Sequence, residues 1–256
     1  MSRRAPTTQA TSLEPYGPSA RIYDRLLGQR IVDEVLPVLD ELLLRHLPAG
    51  VAVLDVCCGT GRVSQALAER GFKVTGLDLD PEMLVLALDN APACRLLRAD
   101  VREFVLAPVF AGALATSDCF NHLLSLAEVE KAFANVHDAL VPGGLLCFDV
   151  LLLGEFQGRT KPWQSMVADD FVQLWSQQLD VEARRFGGQG TLFYRQDGWR
   201  RWDTSYSSQL YTAEEIEGTL TAVGFTAVRM LAAAGDLGRS ELADRTYVVA
   251  ERSRRE

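Results

Sequence analysis

Between positions 22 and 46 the apolar residues Ile22, Leu26, Leu27, Ile31, Val35, Leu39, Leu42 and Leu43 recur at steps of mostly three and four. That period matches one face of an α-helix. The spacing therefore predicts an amphipathic helix with a break at Gly28 and a bend near Pro37, closed by Pro48-Ala49-Gly50. An alternation follows. The short apolar runs 51–56, 73–77, 94–98, 113–117 and 145–150 read as strands. Segments 59–70, 81–90 and 126–140 read as helices between them. The first stops at Gly71, the second starts on Pro81, where a missing N–H costs nothing, and the third is ended by Pro142-Gly143-Gly144. Strands that are apolar along their length are buried on both faces, so this alternation predicts a mostly parallel sheet between helices.

The pattern changes after Leu153. Segment 154–210 holds all four tryptophans, Trp163, Trp175, Trp199 and Trp202. Runs 191–196 and 202–210 suggest antiparallel strands, with turns at Gly187-Gly188 and Asp197-Gly198. The α/β pattern then resumes. Thr212 with Glu215 three residues later is a capping box, and its helix should end near Gly224. Runs 225–231 and 246–250 bring the expected sheet to seven strands. The domain expectation is a disordered polar tail (1–19), one α/β domain from 20–153 and 211–256, and a β-rich insertion over 154–210.

Composition narrows the partners. The chain has 256 residues and a formal charge of −8. An acidic field repels phosphate backbones, so no nucleic-acid partner is expected, although Arg195, Arg200 and Arg201 form a basic patch. The five cysteines, Cys57, Cys58, Cys94, Cys119 and Cys147, are odd in number and form no C-x-x-C pair. They predict reduced thiols rather than a disulfide framework or a zinc site. His46, His122 and His137 are not spaced as metal ligands, so no metal is expected. The start of the chain lacks a signal-peptide pattern. The longest apolar stretch, 139–153, is too short and too interrupted to span a bilayer. The expectation is a cytoplasmic protein, monomer or homodimer.

Candidate chemistry lies at Val53-Leu54-Asp55-Val56-Cys57-Cys58-Gly59-Thr60-Gly61, where the first strand meets the first helix of the alternation. Glycines there allow a tight turn and close approach of a ligand to the backbone, at the strand-end crevice of an open α/β sheet. Asp78 ends the second strand, placed for ribose hydroxyls. A dinucleotide fingerprint would need a third glycine where this chain has Ser64. Asp55 would repel a pyrophosphate and suits a cationic ligand end. With Asp100, these acids stand at three successive strand ends.

The segment 54–61 resembles the first motif of class I S-adenosylmethionine-dependent methyltransferases. Gly76-Leu77-Asp78-Leu79-Asp80-Pro81-Glu82-Met83-Leu84 is similar to the second, Arg98-Ala99-Asp100-Val101-Arg102 to the third, and Asp118-Cys119-Phe120-Asn121-His122-Leu123 to the fourth. Leu140-Val141-Pro142-Gly143-Gly144 resembles the turn before the fifth strand. The resemblance covers 20–153 well and 210–252 more loosely, and is nearest to bacterial small-molecule enzymes, including aminosugar N-methyltransferases. It implies a Rossmann-like α/β fold and S-adenosylmethionine as cofactor. The implied roles run residue by residue: Asp55, Gly59, Thr60 and Gly61 at the methionine end, and Asp78 at the ribose. Leu79 and Met83 lie against the adenine, Asp100 and Val101 at its edge, and Ser117 near the methionine amino group. Tyr23 would close over the cofactor. Arg30 would meet its carboxylate or stand as a solvated helix residue.

The implied reaction is methyl transfer to nitrogen or oxygen of a small molecule. Transfer from a sulfonium needs mainly alignment, and a base only where the nucleophile must lose a proton. His122 is the candidate base, weighed against a structural or solvated histidine. Tyr16 is a candidate to orient the nucleophile, or belongs to the tail. Asp118 is a further candidate base. The insertion's aromatics read as the core of its own sheet, with one or two left to line a substrate pocket under it. The alternatives are a cyclisation that releases methylthioadenosine, or a binding module without turnover.

Overall fold

The computed structural model describes residues 16–154, 156 and 160–254; positions 1–15 of the expected 1–19 tail lie outside them, while 16–19 form a turn leading into a short helix that starts at Ser19. The central sheet forms because alternate residues of each buried strand find apolar partners on opposite faces. In β1 (Ala52–Val56), Leu54 and Val56 face one layer with Phe120, Phe133 and Phe148, while Val53 faces the other with Leu39, Leu67 and Tyr247. Both layers are fully enclosed, which is why the strands read as continuously apolar.

β1 pairs in parallel with β2 (Lys73–Asp78) and with β4 (Phe110–Ala115). β3 (Arg95–Arg98) extends the sheet beyond β2, and β5 (Leu140–Val150) beyond β4. β10 (Phe225–Ala232) and β11 (Thr246–Arg252) complete seven strands in the order β10-β11-β5-β4-β1-β2-β3, with β11 antiparallel to both neighbours. The chain leaves β1 toward β2 and returns beyond it as β4, so a crevice opens at the carboxyl end of β1. Helices α2 (Gln29–Leu42) and α3 (Arg62–Glu69) join one layer, and α5 (Leu126–Ala139) and α6 (Ala213–Val223) the other. α4 (Pro81–Asn90) links β2 to β3. Among the described residues no helix is long and apolar enough to cross a membrane.

Several boundaries differ from the sequence reading. The first helix is divided into α1 (Ser19–Tyr23), a π-helical turn (Asp24–Gly28) and α2, which carries Pro37 inside it. β4 stops at Ala115, and Ser117 and Asp118 take left-handed backbone with φ 63 and 51. α5 passes directly into β5 at Leu140, so Pro142-Gly143-Gly144 lies within the strand, where the β4–β5 register shifts. The Thr212–Glu215 capping box forms, and Gly224 ends α6 with φ 113.

The insertion is a four-stranded antiparallel sheet of β6 (Lys161–Val167), β7 (Phe171–Asp180), β8 (Arg185–Arg195) and β9 (Trp199–Gln209). Asp197-Gly198 is its tight β8–β9 turn, with φ 49 and 113. Gly187-Gly188 is not a turn. Both lie inside β8, where a side chain on Gly187 would stand 2.6 Å from the Tyr206 carbonyl oxygen. Asn121 ties this sheet to the body. Its buried amide donates to the carbonyl oxygens of Leu151 (3.0 Å) and Gln209 (2.7 Å) and accepts the Leu151 N–H (2.9 Å). Phe171 and Leu192 pack on Ile22 of α1, and Arg25 pairs with Asp170 at 2.8 Å.

Candidate functional site

The loop after β1 turns through two left-handed glycines. Gly59 (φ 55) donates its N–H to Asp78 Oδ2 at 2.8 Å. The other oxygen of Asp78 accepts the Asp80 N–H at 2.9 Å. Burial raises the Asp78 carboxyl above the usual carboxylate range although these bonds oppose it. Asp80 in turn caps α4 by accepting from Glu82 (2.8 Å) and Met83 (3.1 Å). A Cβ added to Gly59 would meet nothing within 4 Å, so the loop shows bare backbone to open space. Gly61 (φ 78) serves differently: its Cβ would lie 2.9 Å from Ala87 Cβ and 3.1 Å from Ala91 Cβ. It permits close packing of the loop on α4.

A cleft lies beside this loop, lined among others by Tyr23, Gly28, Gly59, Thr60, Arg62 and Ser117. Tyr23 comes from α1, and burial pushes its phenol up to about 12, although Ser117 and Arg245 oppose the shift. Tyr16 packs edge-on against Tyr23, with centroids 5.4 Å apart, and its N–H reaches Asp80 at 3.2 Å. Burial raises its hydroxyl well above the usual range, and Tyr23, Asp118, Asp78 and Asp80 reinforce the shift.

The exit of β4 is held from below. Asp149 on β5 accepts the N–H groups of Ser117 (2.7 Å) and Asp118 (2.9 Å). Arg245 bridges the two carboxylates, bonding Asp149 and lying 2.8 Å from Asp118. Burial raises the Asp118 carboxyl although Arg245 opposes it, and the two acids raise the Arg245 guanidinium in turn. Two consecutive non-glycine residues in left-handed backbone are costly, and this network is what holds them. His122 stands exposed at the end of the 3-10 turn Cys119–His122, close enough to Asp118 to affect its carboxyl.

Other expected site residues are placed elsewhere. Asp55 does not reach the cleft. It is buried between β1 and α3, where Ser64 Oγ donates to it at 2.5 Å and burial raises its carboxyl to about 7. Arg30 lies on the outer face of α2, 66% exposed and paired with Glu34. Met83 is buried, whereas Leu79 is over a third exposed. Asp100 is occupied by its neighbour: Arg102 donates to it through Nε (2.9 Å), Nη2 (2.5 Å) and backbone N–H (2.9 Å). Val101 is buried beside it.

Cys57 and Cys119 are disulfide-bonded across 62 residues, which corrects the expectation of reduced thiols for these two, while Cys58, Cys94 and Cys147 are free. The bond joins the loop after β1 to the 3-10 turn after β4. Only the fold brings two such distant positions together, so their spacing carried no signal. Asp149 did carry one, because a carboxylate in a doubly buried strand requires a partner. Arg62 and Arg245 carried none. Arg62, the first residue of α3, donates to both oxygens of Asp24 at 2.7 Å, and Asn90 joins Asp24 to the Thr60 carbonyl.

Residues 53–144 match the family of methyltransferase domains. A protein of Bacillus subtilis (strain 168), itself only provisionally named a methyltransferase, is 28% identical over 92% of this chain and 96% of its own length. The dTDP-3-amino-3,6-dideoxy-alpha-D-glucopyranose N,N-dimethyltransferase of Streptomyces fradiae is 32% identical over 42% of each chain. Among solved structures, a sugar N-methyltransferase of a Streptoalloteichus species superimposes with a TM-score of 0.77 at 20% identity over 99% of both chains, a likeness of fold.

Proposed function

We propose that this chain, an S-adenosylmethionine-dependent methyltransferase of class I fold, methylates a nitrogen or oxygen of a small molecule. The observation that carries the reading is the cleft at the ends of β1 and β4, with the bare backbone of Gly59 on its wall and the Asp78 carboxylate at the end of β2 accepting that glycine's N–H. A cofactor with a ribose, a flat base and a cationic amino-acid tail fits that donor set. Asp78 would hold the ribose hydroxyls. Leu79 would cover the adenine from its exposed side, with Met83 beneath. Asp100 and Val101 would meet the adenine edge through backbone, since Arg102 already occupies the Asp100 carboxylate. Gly59, Thr60, Ser117 and Tyr23 would enclose the methionine end, while Asp55 and Gly61 support the loop from behind.

The sulfonium supplies a methyl group already activated for displacement. What this chain supplies is alignment and exclusion of water. Tyr23 closes the cleft from α1, with Tyr16 packed against it from the turn before that helix, and the insertion roofs the acceptor side. Its Tyr206 accepts from Gln177 at 2.7 Å, and its hydroxyl is raised by burial and, more weakly, by Asp118. An ammonium acceptor must lose a proton before transfer. His122, exposed beside Asp118, is the group to take it. The Streptomyces relative is named for a dTDP-linked aminosugar, and that class is the first acceptor to try.

Isothermal titration with S-adenosylhomocysteine, followed by methyl transfer to a panel of amines and hydroxyls, tests the reading. Binding and methylated product support it. Release of methylthioadenosine without a methylated product would favour cyclisation chemistry, and binding without turnover would favour a binding module.

A further inference from the structure

We propose that Cys57 and Cys119 form a reversible redox site that gates the cleft, holding it closed while they are bonded and letting it open when they are reduced. This rests on the function proposed above and adds a means of regulating it. The β1–β4 ladder ends where Val56 stands opposite Ala115. Beyond that pair the two chains separate. Cys57, Gly59 and Thr60 line the cleft on the β1 side, and Thr116 and Ser117 on the β4 side. The disulfide ties the chains together again just past the ladder, from Cys57 to the first residue of the 3-10 turn. It is the only disulfide among the described residues.

The bond limits how far the two walls can part. The Cα atoms of the pair are 6.3 Å apart, and a bridged pair cannot exceed about 7 Å. The hydrogen bonds that Asp78 accepts from one wall and Asp149 from the other can break and re-form. The covalent tie cannot, unless a reductant cleaves it. Backbone cost also collects at the tied point: Cys57, Ser117 and Asp118 all take left-handed backbone, with φ 57, 63 and 51, a region that non-glycine residues avoid. Cys57 is partly exposed and lines the cleft, whereas Cys119 is buried, so the Cys57 side of the bond is the one open to a small dithiol. The other cysteines stand aside. Burial pushes the Cys58 thiol far above the usual range, Cys147 up to about 12 and Cys94 up to about 11. Thiols held protonated in this way are poor partners in exchange.

The reductant is a dithiol. One of its thiolates attacks the Cys57 sulfur, and Cys119 leaves as a thiolate that takes up a proton. The second thiolate displaces the Cys57 sulfur, which is protonated in turn, and the dithiol becomes a cyclic disulfide. Diamide reverses the change: it takes two electrons and two protons from the pair and becomes a hydrazine. Thiol titration of the denatured chain should count five thiols after dithiothreitol and three after diamide. With the reagents removed, calorimetry should show the reduced protein binding S-adenosylhomocysteine at least about tenfold more tightly than the oxidised one. Cys119→Ser should bind as the reduced wild type does, with or without diamide; if that variant does not fold, the two wild-type measurements decide alone. Five thiols after diamide, equal affinity in both states, or tighter binding by the oxidised protein would overturn the gate and leave the proposed function standing. A wild-type protein that binds S-adenosylhomocysteine in neither state would overturn both.

Discussion

Asp78 accepts the Gly59 N–H at 2.8 Å, so the acid that ends β2 holds the glycine loop that follows β1. The same carboxylate would meet the ribose. Asp78→Ala therefore removes a ligand contact and a loop support together. Hydrogen bonds to charged groups are worth about 1.5–3 kcal/mol each. The variant is expected to bind S-adenosylhomocysteine at least about tenfold more weakly and to melt a few degrees lower. Calorimetry and thermal melting check it. Unchanged affinity in a folded variant would remove Asp78 from the site.

The two loop glycines should fail in different ways. Gly61→Val drives a side chain into Ala87 and Ala91, so its cost falls on the fold. Overpacking costs about 1–3 kcal/mol, before the cost of the positive φ is added. A Cβ on Gly59 meets nothing within 4 Å, and this glycine lines the cleft, so Gly59→Val puts its side chain there. It should lose cofactor binding with a smaller drop in melting temperature. The reverse order would mean that Gly59 does not face the ligand.

Asp55 sets a pH dependence of stability. Unfolded, it titrates near about 3.9, and in the fold burial raises it to about 7. Between those values the folded chain keeps a proton that the unfolded chain has released. This group therefore makes stability fall as pH rises from about 4 to about 7, and adds no further change above that. Asp55→Asn still accepts from Ser64 but cannot ionise. Its urea midpoint should change less between pH 5 and pH 8 than that of the wild type. An identical change in both would refute the raised carboxyl.

Asn121 should control the attachment of the insertion. Asn121→Ala leaves the Leu151 N–H and the carbonyls of Leu151 and Gln209 without their partner inside the protein. A buried polar group left unsatisfied costs about 1–3 kcal/mol. The expected result is a lower melting temperature and faster proteolysis within the insertion sheet. Protease resistance equal to the wild type would place the anchoring elsewhere, for instance on Tyr211, whose hydroxyl donates to the Leu123 carbonyl at 2.5 Å.

His122 is exposed at the end of the Cys119–His122 turn. His122→Ala should leave melting temperature and S-adenosylhomocysteine affinity unchanged. With an acceptor that enters as an ammonium, turnover should fall by about a hundredfold. Full turnover with that acceptor would assign the proton to another group, with Asp118 next to be tested.

Much of this was legible before any coordinates. Alternating apolar runs defined the sheet because a strand buried on both faces has no position for a polar residue unless it finds a partner. The Gly59–Gly61 turn, the proline start of α4 and the Thr212–Glu215 capping box were readable because each acts within a few residues of chain. The insertion was read less well. Its glycines in β8 looked like a turn, and β6 and β7 were missed because their faces mix glutamines with aromatics and give no clean alternation.

The sequence by itself determined the order of elements, the crevice at the end of β1 and the acid at the end of β2, since local geometry and hydrophobic period suffice for these. Tertiary structure alone decided the partners. It placed Asp55 behind the loop and not in the cleft, turned Arg30 outward, and brought Arg62 to Asp24 across 38 residues and Arg245 to Asp149 across 96. The physical reason is common to all four. A charged side chain has no preferred partner along the chain. Whether it is solvated, paired or aimed at a ligand depends on which distant strand end or helix start the packed core sets beside it.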